Sequence, residues 1–182
     1  MSIIKIYIVS SFIKDFSLSW KGSHAMRPLM GIDLQTILDS DPVTRGHLVG
    51  CFASDETLKT YTKLPAIYIV NTAQLNNVGE HWLGLYLDTN RGCDYFCSLG
   101  TKPIAKLYDQ LIKRLKVTNV RYSTLCIQNP LTANCGYFVY YFLYYRSRGL
   151  DFESILGTFK NYDYTHNASL ISHFIQHFEK YA

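Results

Sequence analysis

The sequence predicts a single α+β domain, a small central mixed β-sheet flanked by helices, and three observations carry that expectation. Strand-like runs gather in the middle of the chain, with helical periodicities before, between and after them. The 182 residues suffice for one domain with a real core and are short for two. Hydrophobic residues make up 48% and aromatics 15%, so there is ample apolar surface to bury and the chain is not of the disordered class.

Each element has its own signal. Residues 1–9 alternate apolar positions with Lys5 and Tyr7, a strand pattern and not that of a signal peptide. The Gly-Ser-His-Ala-Met run at 22–26 resembles a cloning scar. Residues 1–25 therefore read either as a fused or cloning-derived peptide or as native chain, with the domain proper over 26–182, and His24 is given no functional weight. Residues 31–38 predict a short helix with Ile32, Ile37 and Leu38 as its apolar side and Asp33 near its start. An apolar stretch at 47–53 ends in a polar turn. The Ala-Ile-Tyr-Ile-Val run at 66–70 is β-rich, and an Asn- and Gly-containing loop follows at 71–79. Residues 81–87 alternate, turn at 88–92 and resume at 93–99, which makes a hairpin.

Ile104, Leu107, Tyr108, Leu111, Ile112 and Leu115 recur at helical spacing, with Pro103 near the first turn. Lys102, Lys106, Lys113, Arg114 and Lys116 form the other side. A solvated face is the plain reading of that row, and contact with DNA through the 102–116 helix the sharper one. Another strand is expected over 120–127. Residues 134–145 are apolar on every side, the mark of a buried helix, and amphipathic helices over 152–159 and 167–181 close the chain.

Charged residues reach only 18% and the net charge is +4, a mildly basic balance that permits an acidic partner without requiring one. No apolar run is long enough to span a bilayer, so no membrane partner is expected. Five cysteines, at 51, 93, 97, 126 and 135, are an odd and scattered set. They read as reduced thiols of an intracellular compartment, not as a secreted disulfide framework, which leaves the Asn167-Ala168-Ser169 glycosylation triplet idle. No metal site is expected. His173 and His177 are four apart but sit among apolar neighbours, and Cys93, Cys97 and Cys126 match no compact zinc spacing.

The segment with the most chemistry runs from Gln128 to Gly136. Pro130 and the polar residues after it end a strand, and the all-apolar helix begins near Cys135. A thiol at a helix N-terminus meets the positive end of the macrodipole and unpaired N–H groups, both of which favour thiolate. Gly136 leaves room for a close backbone approach. His81, at a strand start after a loop, is the natural proton carrier. For an isolated cysteine or histidine, packing is the commoner role; the combination with Gln128 is what singles out this pair.

Taken together, His81-Trp82, then a strand ending Ser98-Leu99-Gly100, then Gln128 seven residues ahead of Cys135-Gly136, resemble the adenain-type maturation cysteine proteases of adenoviruses. More broadly they resemble the papain-like group that includes the SUMO-specific proteases. The good match runs from about Val70 to Tyr145. The resemblance implies a papain-like fold of the adenain/SUMO-protease type, with His81 as base, Cys135 as nucleophile and Gln128 as oxyanion donor beside the Cys135 N–H. It implies a substrate channel narrowed by Trp82, cleavage after Gly-Gly or Gly-X-Gly, and viral capsid precursors as partners in the virion or infected cell. The nearest kin would be proteases of virophages or virus-like transposons.

In one respect the sequence departs from that family. The place of the orienting Asp, Glu or Asn, counted back from Gly100, holds Cys97, a weak acceptor. Asp94 has the opposite strand parity, and Asp88 lies at the turn. The alternatives are a Cys–His dyad, rescue of the histidine by another polar group, or an inactive enzyme. No cofactor is expected. A peptide or DNA activator is implied by resemblance only, and no cysteine stands where a covalent peptide would attach. A ubiquitin-like-modifier protease, an acetyltransferase of the same His…Cys order and a binding module with a vestigial site remain as rival readings.

Overall fold

The structure is a computed structural model that describes residues 27–77 and 79–179, without the side chains of 177–179. The strand and scar expected over 1–26, and the side chain of His177, lie outside the described residues. Helix α1 (Gly31–Ser40) and the single turn α2 (Pro42–Arg45) lead into β1 (Leu48–Phe52), β2 (Ala66–Asn71), β3 (Trp82–Leu87) and β4 (Gly92–Phe96). Helix α3 (Ala105–Asp109) runs on as a wider π-turn over Gln110–Arg114. Strand β5 (Asn119–Tyr122) follows, then α4 (Cys135–Ser147), α5 (Phe152–Leu156) and α6 (Tyr164–Glu179).

The five strands form one mixed sheet in chain order. β1 and β2 are parallel, β2, β3 and β4 run antiparallel, and β4 and β5 are parallel. Both faces are covered, which is why β2 is buried along its whole length instead of alternating. Ile67, Ile69 and Phe96 face α4 and the helices around it, while Tyr68, Leu85, Tyr95 and Cys97 face α3. Gly84 lets α4 lie directly on β3, for a Cβ there would stand 3.2 Å from Val139 and 3.4 Å from Phe142. Phe96 stacks on Phe142 with ring centroids 4.6 Å apart, which fixes the helix against the next strand.

Asp94, on the α4 face, is almost fully buried and receives Arg121 from β5 and Arg146 from α4, each at 2.7 Å. The opposite-parity reading of Asp94 thus has a physical cause, a two-arginine clamp across three elements. Three expectations need correction. Ile32 is 66% exposed, and the buried side of α1 is Asp33, Leu34 and Leu38. Asp33 is drawn inward because it accepts from Arg27 and from the Met30 N–H, both at 2.8 Å. The strands expected over 93–99 and 120–127 stop at Phe96 and Tyr122. Beyond those points the backbone turns instead of pairing, and those turns build the site.

Candidate active site

Antiparallel pairing sets the start of β3 beside the end of β4, since Gly84 pairs with Phe96. His81 directly precedes β3, and its carbonyl accepts from the Thr72 N–H at 2.9 Å, which pins the backbone there. The N-terminus of α4 arrives at the same end of the sheet. Its approach loop is braced by asparagines: Asn129 accepts from the Leu131 N–H and the Thr132 hydroxyl, and that hydroxyl also lies 2.7 Å from Asn134. Cys135 is thereby held as the first residue of the helix, 6% exposed.

The backbone N–H groups of Trp82, Gly136 and Cys135 itself lie near the Cys135 thiol and favour its anion. The Trp82 contact ties the nucleophile candidate to the residue next to His81, so the two ends of the motif meet. Burial nevertheless outweighs these donors, and the Cys135 thiol lies above its ordinary value, with Cys97 nearby adding to the rise. The expectation of a depressed thiol is therefore corrected. The sequence locates the helix tip but does not reveal how little water reaches it.

His81 Nε2 lies 3.4 Å from Cys97 Sγ, and Cys97 Sγ lies 3.0 Å from the Thr101 hydroxyl. Burial alone pulls the His81 imidazole down from 6.5 to about 4, because no carboxylate opposes it. Asp88 is occupied at the hairpin turn, accepting from the Asn90 and Gly92 N–H groups, and Asp94 is in its arginine clamp. Near neutrality the pair is thus a thiol and a neutral imidazole, not an ion pair.

Gln128 is fully buried and tightly held. The Ser98 hydroxyl donates to its carboxamide oxygen at 2.6 Å, and the Ser98 carbonyl accepts from the Ile127 and Gln128 N–H groups. One hydrogen of its amide nitrogen goes to the Thr132 carbonyl at 2.8 Å, and a carboxamide carries a second. Ser98 was visible only as part of the Ser-Leu-Gly run. Its role as the clamp on Gln128 depends on the turn after β4, which strand periodicity does not encode.

The two channel candidates are differently placed than the sequence suggests. The Trp82 indole donates to the Leu29 carbonyl at 2.8 Å, and its ring covers Gly31. A Cβ on Gly136 would meet the Leu29 Cβ at 2.9 Å, so the space at Gly136 is taken by Leu29 and not left open. This packing of Leu29 on Gly136 and Trp82 has no signal in sequence. Of the basic row, Lys106 and Arg114 donate to the Asp55 and Leu58 carbonyls and Lys113 pairs with Asp109. Asn167 is 0% exposed and bonded to the Ile127 and Lys160 carbonyls, which leaves no room for a glycan. Among the described residues no three His, Cys, Asp or Glu side chains gather as metal ligands, and no helix is long and apolar enough to cross a membrane.

No protein-family model matches the chain, and no curated protein sequence matches it. Solved structures do. The ASFV pS273R protease superposes with a TM-score of 0.57 at 12% identity, over 80% of this chain and 66% of that one. The chain thus spans about two thirds of that protease's length. ChlaDub1 from Chlamydia trachomatis matches at 0.44 and 18% identity, over 81% of this chain and 76% of that one. The SUMO protease Ulp1 matches at 0.35 and 17%, over 81% and 63%. The fold is the papain-like cysteine-protease fold of the pS273R type.

Proposed function

We propose that this chain is a cysteine endopeptidase in which Cys135 attacks a peptide carbonyl, His81 moves the proton and Gln128 holds the oxyanion. One observation carries the reading: Trp82 Cδ1 stands 3.4 Å from where a Cβ on Gly136 would be, and the Trp82 N–H lies near the Cys135 thiol, so the residue after His81 and the tip of the buried helix share one spot. The fold it shares with a viral protease supports the same conclusion.

A neutral pair implies proton transfer concerted with attack. The Cys135 thiol gives its proton to His81 as sulfur bonds the carbonyl carbon, and the carbonyl oxygen becomes an oxyanion. The free N–H of Gln128 and the backbone N–H of Cys135 are the candidate donors to it, and such a donor contributes about 3–4 kcal/mol. His81 then passes its proton to the leaving amine, giving a thioester. Water, deprotonated by His81, hydrolyses the thioester and restores the thiol. No metal or cofactor enters these steps.

The substrates we propose are viral structural precursors, capsid proteins foremost, cut after Gly-Gly or Gly-X-Gly. Trp82 packs with Leu29 next to Gly136, which supports a close-walled approach to Cys135 that favours small residues before the scissile bond. The test sets a Gly-X-Gly capsid-precursor peptide beside a Gly-Gly-terminated ubiquitin-like fusion, with Cys135→Ala as control. Cleavage of the peptide alone, lost in the variant, is the expected result. Preferential cleavage of the fusion would reassign the substrate, and acetyl-CoA turnover without cleavage would overturn the hydrolase reading.

A further inference from the structure

Among the described residues no carboxylate stands behind the His81 imidazole, yet its Nε2 is not idle. Cys97 Sγ faces it at 3.4 Å and the Thr101 hydroxyl faces that sulfur at 3.0 Å. The tight turn after β4 produces this alignment. The Gly100 N–H bonds the Cys97 carbonyl at 3.0 Å, and Gly100 takes a φ of 69° where a Cβ would strike the Thr124 carbonyl at 2.6 Å. The chain therefore doubles back and sets Thr101 against Cys97.

We propose that Thr101 is the positioning residue for His81, acting through Cys97 to select the imidazole tautomer that can accept a proton from Cys135. The inference rests on the reading of Cys135 and His81 as the reacting pair. Its logic is a donor count. A threonine hydroxyl accepts as well as donates, so Thr101 Oγ1 can take the Cys97 S–H, 3.0 Å away, while its own proton turns to solvent. With its S–H so engaged, Cys97 Sγ is left to accept Nε2–H from His81. That tautomer keeps Nδ1 bare. The reverse order, Thr101 O–H to Cys97 and Cys97 S–H to Nε2, protonates Nδ1 and leaves no ring nitrogen for the Cys135 proton. The first order is the one the reacting pair needs, since only it leaves Nδ1 free to take the Cys135 proton.

Nitrogen-15 NMR of the intact protein reads the tautomer directly, independently of activity. The wild type is expected as the Nε2–H form, Thr101→Val as a mixture, and Thr101→Ser as the wild type again. Iodoacetamide alkylation of Cys135 on its neutral plateau should slow about three- to tenfold in Thr101→Val, the size of one lost hydrogen bond, and recover in Thr101→Ser. An Nδ1–H wild type, or a Thr101→Val protein with unchanged tautomer and rate, overturns the inference. Cys135 alkylated no faster than Cys51 would instead overturn the catalytic pair, and the tautomer would still decide the role of Thr101.

Discussion

The residue that decides the chemistry is the one that departs from the expected pattern. Cys97 is a buried thiol in contact with His81 Nε2, and its weak acceptor strength leaves burial as the sole influence on an imidazole near 4. Replacing Cys97 by Asp would add an anion at that contact, and a neighbouring carboxylate raises an imidazole by about 1–3 units. The His81 titration, followed by NMR, should move up accordingly, and kcat/KM at neutral pH should rise about tenfold as thiolate–imidazolium becomes accessible. An unchanged titration would mean that the Asp side chain turns away from the ring. Gln128→Ala is expected to lower kcat about 100- to 1,000-fold with little change in KM, the pattern of a donor used only in the transition state. Equal losses in binding and turnover would make Gln128 a structural brace. At this scale the sequence is informative about identity and silent about environment. His81, Gln128 and Cys135 are legible because their chemistry and order form a motif. The raised Cys135 thiol, the Ser98 clamp and the Thr101 contact are not, since all three depend on burial and on a turn of unusual backbone.

Among the elements, α4 is the one on which the site depends, and its seat is both apolar and ionic. Phe142 stacks on Phe96, Gly84 admits the helix, and Arg146 reaches Asp94 while its guanidinium lies 4.4 Å from the Tyr86 ring centroid. Removing Asp94 would leave Arg146 facing the sheet without its anion, so Asp94→Ala should destabilise the fold by about 3 kcal/mol. Urea unfolding measures it. A loss below about 1 kcal/mol would mean that both arginines regain water freely. Gly136→Ala is a second probe, because its Cβ would press on Leu29. It should cost about 1–3 kcal/mol by overpacking and disturb the Leu29–Trp82 packing. The buried helix is legible in sequence from its all-round apolarity, and the hairpin from its turn residues. The early ends of β4 and β5 are not, for residues 97–99 and 123–127 keep strand-like composition while Ser98 spends its backbone carbonyl on Ile127 and Gln128 instead of a ladder. In α1 the exposed Ile32 misled the pattern, since the buried Asp33 is satisfied by Arg27 and thus takes an inward position.

Over the whole molecule, burial of titratable groups ties stability to pH on both sides of neutrality. On the acid side the signal is His81, with a folded value of about 4 against 6.5 when unfolded. Between those values the unfolded chain binds a proton that the native state refuses. Stability is therefore full above about 6.5 and falls as pH drops toward 4, by up to about 1.4 kcal/mol per pH unit. On the alkaline side the shifts have the opposite sense. Burial raises Cys51 to about 11, and raises Cys93, Cys135, Tyr68, Tyr95, Tyr137 and Tyr140 from ordinary values of 9.0 for thiols and 10.0 for phenols. Their contribution is complete below those values and is lost above them, as the unfolded chain ionises first. Several groups act together there and one acts on the acid side, so the alkaline limb should be the steeper. Urea midpoints taken from pH 4 to 11 should trace a plateau between about 6.5 and 9 with that asymmetry. His81→Gln, which cannot titrate, should flatten the acid limb selectively and leave the alkaline limb as it was. If the acid limb persists undiminished in His81→Gln, the imidazole is not the group that the fold holds neutral, and the thiol–imidazole ground state from which catalysis was derived must be replaced by the charged pair.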